Sequence, residues 1–346
     1  MISEKLNIEQ CIKGDILAKD VFSDTGYLLV GAGTTLSEFI ISKLYELSID
    51  SIQVLRQIPE QKKNGETKQK FLEKYGESVV LIKNLIADLN SGKNLELEEV
   101  EAISNILMDH FKESDMIVKF MQELRSADEY TFYHSINVAF YSMLIGMWLG
   151  QPRNEIQKIV QAGLLHDIGK VNVPYNILNK PERLTIEEYE IIKKHPMYGF
   201  EMLNKIEGID SDIKHAVLYH HERMNRTGYP FKSSPEDIGL YPRIIAVADV
   251  FDAMTSNRVY KKRKTPFDAF EMFLRVGFSE FDISVLNTFL NQIPKYLVSA
   301  NVLLSNGKIG QIVYVPPQEI TKPIVSTESG FIDLSISTTI KIVEML

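Results

Sequence analysis

Gly163-Leu164-Leu165-His166-Asp167-Ile168-Gly169-Lys170 ends an apolar helical run with an imidazole beside a carboxylate, and a lysine follows three residues after the aspartate. An adjacent His-Asp pair can offer one nitrogen ligand and one bridging carboxylate to metal ions. The glycines on either side permit a sharp turn and a close backbone approach. Alone the dipeptide says little, because chance pairs are common. It gains weight from His134 before it and from His195, the pair His220-His221 and Asp249 after it.

The chain around this stretch reads as helix from Asp128 to about Gln292. Thr185-Ile186-Glu187-Glu188 has the form of a capping box. Thr265-Pro266 offers a cap followed by proline at the first helical position. The run 132–149 is apolar nearly all round, which predicts a buried helix. His134 sits inside it among Phe132, Ile136, Val138 and Phe140.

Further out the chemistry thins. Residues 1–58 read as a small α/β unit. Asp15 to Val30 alternates apolar and polar residues around an Asp24-Thr25-Gly26 turn, and Ser37 caps a helix to about Leu47. Ile49 to Leu55 reads as a closing strand. Residues 59–69 have the composition of a linker. From about 70 to 125 Leu81, Leu85, Ile103, Leu107, Ile117 and Leu124 follow helical spacing, with a break at Asn90-Ser91-Gly92. After 297 the chain turns β-like: Val302-Leu303-Leu304, a Ser305-Asn306-Gly307 turn and Ile309 to Val315 predict a hairpin. Ile332 to Val343 is expected to add a strand.

Composition bounds the function. The chain has 346 residues, 45% hydrophobic and 24% charged, enough for a sizeable core. Its formal net charge of −8 argues against a general DNA binder, apart from a local basic patch at Arg258 to Lys264. The single cysteine, Cys11, excludes an intrachain disulfide framework and a cysteine-rich zinc site. No run of about 18 apolar residues is present, the usual length of a membrane span. The start lacks a signal-peptide core. A soluble cytoplasmic protein is the expectation.

Of the seven histidines, five belong to the constellation with Asp167 and Asp249. Seven mixed ligands exceed the needs of one tetrahedral zinc. They suit two ions about 3.5–4 Å apart, the arrangement of enzymes that cleave phosphoesters. His220 and His221 reach one centre most easily where a helix ends, because adjacent helical side chains diverge by about 100°. His110 and His215 lack such company and read as surface residues.

Taken together, His134, His166-Asp167, Lys170, His195-Pro196, His220-His221-Glu222, Gly228-Tyr229-Pro230 and Asp249 resemble the HD-GYP domain family. Gly169-Lys170-Val171, Val173-Pro174, Ile177 to Pro181 and Asp249-Val250-Phe251-Asp252-Ala253-Met254 match it as well. The resemblance covers about residues 126–292. It implies a mainly α protein: an all-helical HD phosphohydrolase-type catalytic domain over 126–296. A small α/β domain (1–58) and a linker with helical connector (59–125) precede it, and a short β-rich segment (297–346) follows.

The family hydrolyses cyclic di-GMP to pGpG, often on to GMP, using two or three metals, commonly iron or manganese, and a bridging hydroxide. By that resemblance His134, His166, Asp167 and Asp249 hold one metal, and Asp167 bridges to a second held by His195, His220 and His221. Lys170 lies against phosphate or hydroxide, Arg258 and Lys261 grip substrate phosphate, and Tyr229 stacks on guanine or bonds phosphate. Two divalent ions, Fe or Mn, are expected. A third is not, because the glutamate that holds it in some members is replaced by Tyr130.

The loop Asn225-Arg226-Thr227-Gly228-Tyr229-Pro230 departs from the family's Asp-Gly-x-Gly-Tyr-Pro at its first two residues. Three readings stay open at this stage: an active cyclic di-GMP phosphodiesterase, a cyclic di-GMP receptor with slow or no hydrolysis, and a phosphohydrolase of another cyclic dinucleotide. A homodimer through the N-terminal domain or the connector helices is the expected assembly.

Overall fold

The computed structural model describes residues 2–23, 28–56, 63–109, 130–256, 264–337 and 339–346. Two compact units result, Met1–Glu66 with Val298–Lys341, and Thr67–Leu297 with Ile342–Leu346.

The first unit begins with β1 (Ile2–Asn7), β2 (Ile16–Leu17), β3 (Val21–Phe22), β4 (Leu28–Val30), α1 (Glu38–Glu46) and β5 (Ser51–Arg56). Ser37 caps α1 by accepting from the Ile40 amide at 3.2 Å, as its sequence position predicts. The sheet order is β1-β5-β2, so β5 lies in the middle and pairs antiparallel with both neighbours. Ile52 and Val54 of β5 point into a core shared with Leu6, Leu17, Leu36 and Leu44. The first strand has no alternating pattern of its own and forms because β5 offers it an edge.

The same unit contains β6 (Asn301–Leu304), β7 (Ile309–Tyr314), β8 (Ile324–Thr327) and β9 (Gly330–Asp333), each antiparallel to the next. The expected hairpin is the β6–β7 pair. The strand expected over Ile332 to Val343 is not continuous. β9 stops at Asp333, whose carboxylate accepts from the Ser335 amide at 2.8 Å and turns the chain out of the sheet. Ile336 is then exposed, and the next strand is β10 (Ile342–Met345).

The second unit is helical. It runs through α2 (Lys63–Asn90), α3 (Leu97–Asp109), α4 (Tyr130–Trp148), α5 (Arg153–Leu165), α6 (Tyr175–Leu178) and α7 (Ile186–Ile192). It continues through α8 (His195–Leu203), α9 (Ser211–Tyr219), α10 (Leu240–Thr255), α11 (Pro266–Met272), α12 (Phe278–Glu280) and α13 (Ile283–Gln292). Helix already begins at Lys63, inside the stretch whose polarity suggests a linker. Lys, Glu and Gln are good helix formers as well as good solvators, so composition alone does not separate the two. The break after Asn90 falls where Gly92 takes φ +86°. Ile117 and Leu124 lie outside the described residues.

The middle of this unit is α4, packed against α5, α10 and α13. Ile136, Val138, Ala139, Tyr141, Met143, Leu144 and Ile145 are fully buried along it, so the helix has no wet face over that stretch. Each such side chain contributes about 1.5–3 kcal/mol on leaving water. Thr185 and Thr265 close capping boxes at α7 and α11, each worth about 1 kcal/mol. The consequence for function is geometric. A rigid central helix presents His134 to the ends of α5 and α9 and to the inner face of α10. Among the described residues no helix is long and apolar enough to cross a membrane.

Candidate metal centre

Three of the histidines are held in the same way. α5 ends at Leu165, α7 at Ile192 and α9 at Tyr219, and the last carbonyls of a helix lack intrahelical partners. His166 Nδ1 bonds Gly163 O, His195 Nδ1 bonds Ile192 O and His220 Nδ1 bonds Val217 O, each at 2.8 Å and each three residues back. A carbonyl only accepts, so Nδ1 carries the proton and Nε2 keeps its lone pair. All three Nε2 atoms turn toward one spot.

His134 lies inside α4 and has no free carbonyl to use. Its Nδ1 meets Asp252 Oδ2 at 2.8 Å instead. Its Nε2 faces Asp249 Oδ1 at 3.2 Å and Asp167 Oδ2 at 3.7 Å. Asp167 stands between the groups, with Oδ2 3.3 Å from His166 Nε2 and Oδ1 3.2 Å from His195 Nε2. His221 Nδ1 lies 3.9 Å from Asp249 Oδ2, so Asp249 also faces both sides.

Ligand atoms of Asp167, His195, His220 and His221 all lie within 4.8 Å of one another, as do those of His134, His166 and Asp167. His166 and His220 are fully buried and His195 nearly so. Burial pushes the His220 and His221 imidazoles well below their usual range, helped by neighbouring imidazoles. They are neutral at physiological pH, the form that binds metal. Burial alone would also lower His134, but the hydrogen bonds it donates to Asp249 and Asp252 prevail and raise it to about 9. For Asp167 burial acts upward, yet the Lys170 ammonium and the His166 ring hold it well below the usual carboxylate range.

The residues fit bound metal on a second count. His166 Nε2 and Asp167 Oδ1 are buried without a hydrogen-bond partner. Such orphans cost about 1–3 kcal/mol each, a penalty that a coordinated cation removes.

Around this core, Lys170 donates to Asp167 Oδ2 from the turn that follows the His-Asp pair. Gly169 lets that turn approach α8: a Cβ there would collide with His195 O and Gly199 N. Tyr229 stacks on His221, with ring centroids 4.5 Å apart and planes 29° apart. The expected phosphate-gripping residues Arg258 and Lys261, and the side chain of Tyr130, lie outside the described residues, as does His110. His215 is not a surface residue: it is half-buried and stacked on Tyr219 at 4.2 Å.

Several partners escape the sequence reading. Asp252 orients His134, and Asn137 Nδ2 donates to Asp252 Oδ1 at 2.9 Å. The available signal is a polar residue three positions after each ligand on an otherwise apolar helix. Glu222 is buried and accepts from the amides of Phe231 at 2.6 Å and Ser233 at 3.0 Å, which ties down the loop bearing Tyr229. Gly228 lets this loop press on the helix end, since a Cβ would meet His221 O and Glu222 Cα. Arg226 takes φ +63°, the left-handed conformation that a glycine adopts without strain. Asn225 compensates locally, its Oδ1 accepting from the Thr227 amide at 3.1 Å and from the Thr227 hydroxyl at 2.6 Å.

Comparison with known proteins agrees with this geometry. Residues 120–285 match the HD domain family model. A cyclic di-GMP phosphodiesterase of Pseudomonas aeruginosa, PA4108, is 37% identical over 202 residues, 58% of this chain and 49% of that protein. A cyclic di-GMP phosphodiesterase of Thermotoga maritima is 34% identical over 181 residues, 51% of this chain and 49% of the relative. The 3'3'-cGAMP-specific phosphodiesterase 2 of Vibrio cholerae is 34% identical over 159 residues, 45% of this chain and 30% of the relative. This chain thus spans about half the length, or less, of these curated relatives. Among solved structures, the HDG"Y"P protein Bd1817 from Bdellovibrio bacteriovorus overlaps 83% of this chain and 98% of its own at a TM-score of 0.48 and 14% identity. Residues 120–285, which gather the histidines and aspartates at the helix ends, are thus an HD domain similar to those of proteins named as cyclic di-GMP phosphodiesterases.

Proposed function

We propose that the chain is a metal-dependent phosphodiesterase that hydrolyses cyclic di-GMP to pGpG or GMP. The observation that carries this reading is the convergence of five imidazoles and two carboxylates on one buried spot, with three Nε2 lone pairs fixed inward by helix-end carbonyls. In it His134, His166, Asp167 and Asp249 hold one divalent ion, and Asp167 with His195, His220 and His221 holds a second, Fe or Mn. When bound, such a pair supplies Lewis-acid polarisation of phosphoryl oxygen and acidification of water.

The chain's own residues do the remainder. Asp167, kept ionised by Lys170 and His166, supplies negative charge to both ion sites. Lys170 brings a cation to the place where charge develops on the phosphoryl oxygens. Tyr229 offers a ring face to a guanine base, and Arg258 and Lys261 grip phosphate, the arginine as a fork and the lysine as a point charge. The N-terminal domain, 1–58, is a regulatory or docking module, this domain or the connector helices build a homodimer, and the protein works in the cytoplasm.

One observation favours a second substrate: a matched relative is named as specific for 3'3'-cGAMP, and two-metal chemistry is indifferent to the base. The strained Arg226 favours the receptor reading. Anaerobic turnover by ferrous- or manganese-loaded protein, with products separated by chromatography, tests all three. Formation of pGpG or GMP supports the proposal. Cleavage of cGAMP alone replaces the substrate, and tight binding of cyclic di-GMP without product replaces the enzyme with a receptor.

A further inference from the structure

A line of buried hydrogen bonds leads away from His134 to a helix that carries no ligand. Asp252 Oδ2 meets His134 Nδ1 at 2.8 Å, Asn137 Nδ2 donates to Asp252 Oδ1 at 2.9 Å, and the Tyr75 hydroxyl donates to Asn137 Oδ1 at 2.7 Å. Relative exposures are 4% for Tyr75, 1% for Asn137, 0% for Asp252 and 4% for His134, so water does not stand in for any link. Tyr75 belongs to α2, the first connector helix, and its ring also stacks on Tyr133 beside His134, at 6.0 Å.

We infer that Tyr75 is a positioning residue for the metal centre, and that the placement of α2 thereby sets how tightly the centre holds its ion. The inference rests on the metal reading above. An amide has one accepting end and one donating end. The Tyr75 hydroxyl takes the accepting end of Asn137, which leaves the donating end for Asp252. Without that hydroxyl the Asn137 oxygen is left buried without its donor, and the amide that holds Asp252 loses one of its two anchors. Asp252 in turn fixes the tautomer and the ring angle of His134. Groups that bond the far nitrogen of a metal-binding histidine commonly change metal affinity about 10–100-fold when removed. A neutral bond one step further out is worth about two- to tenfold. A rotation or slide of α2 would remove the hydroxyl from Asn137 as fully as a mutation does.

The test is a chelator-competition titration of manganese on the full chain. It compares wild type, Tyr75→Phe, Asp252→Asn and the double variant. Tyr75→Phe keeps the ring and its stacking on Tyr133. Weakening of about two- to tenfold in Tyr75→Phe, largely lost in the Asp252→Asn background, is the expected result, because members of one network do not act additively. Unchanged affinity, or full additivity, overturns the relay. Wild-type protein that takes up no manganese overturns the metal reading instead. The relay is then judged in the metal-free protein by exchange of the His134 Nδ1 proton: faster exchange in Tyr75→Phe supports it, and an unchanged rate overturns it.

Discussion

The Nε2 atoms of His195 and His220 face each other 3.3 Å apart, while each ring's Nδ1 is bonded to a helix-end carbonyl. With both rings neutral, neither has a proton to place between them. Two lone pairs at that distance repel, and the folded chain holds them there through the ends of α7 and α9. A cation between or beside them turns the repulsion into attraction.

Metal should therefore stabilise the fold measurably. At a free concentration near 100 times Kd, binding adds about 2.7 kcal/mol. For a unit of this size that raises Tm by roughly 5–10 °C. Calorimetry with manganese and with excess chelator reads the difference directly, and coincident transitions would count against the site.

Asp167 is shared by both groups of ligand atoms, so its loss damages both. Asp167→Ala and His166→Ala are each expected to lower turnover on the order of 10³-fold or more, the loss of several kcal/mol of charge stabilisation. Chromatographic rates on equal amounts of protein check this. A variant within tenfold of wild type would sink the proposed mechanism.

Arg226 at φ +63° carries a strain of roughly 1–2 kcal/mol for a side chain in the left-handed region. Glycine relieves it but adds freedom to the unfolded chain, about 0.5–1 kcal/mol. Arg226→Gly is expected to gain about 0.5–1 kcal/mol net, seen as a higher urea midpoint with an unchanged slope. A lowered midpoint would mean that the arginine makes contacts worth more than its strain.

Glu222 holds the Tyr229 loop through two amides, each a bond to a charged acceptor worth about 1.5–3 kcal/mol. In Glu222→Gln one of the two acceptors is lost. KM for cyclic di-GMP should rise about tenfold while metal content stays at the wild-type level. An unaltered KM would place this loop outside the substrate site.

The residues legible in the sequence were those whose chemistry is out of keeping with their neighbours. His134 stands among Phe132, Ile136 and Val138, and a helix that stops at Leu165 leaves His166 and Asp167 conspicuous. The helices α1, α4, α7 and α11 announce themselves through caps and apolar faces. What stayed hidden depends on partners distant along the chain. Asn137 and Asp252 are ordinary polar residues until folding brings them together, and Tyr75 is one more aromatic on a polar helix. β1 needs β5, and His215 is half-buried partly because Gly239, more than twenty residues on, lies beside its ring. The continuous strand expected after Ile332 fails for a local reason, the turn closed by Asp333.

The three imidazoles tied to carbonyls three residues back also divide the chain into parts that can change length and parts that cannot. One residue inserted between Gly163 and His166, Ile192 and His195, or Val217 and His220 would rotate a ligand by about 100° and shift it about 1.5 Å. The same insertion in 204–210 or 223–227, beyond those three tethers, leaves them intact. Relatives of this chain should accordingly differ in the length of their loops while keeping those three intervals fixed. Counting the intervals in a new sequence is a sharper test of a working centre than counting its histidines.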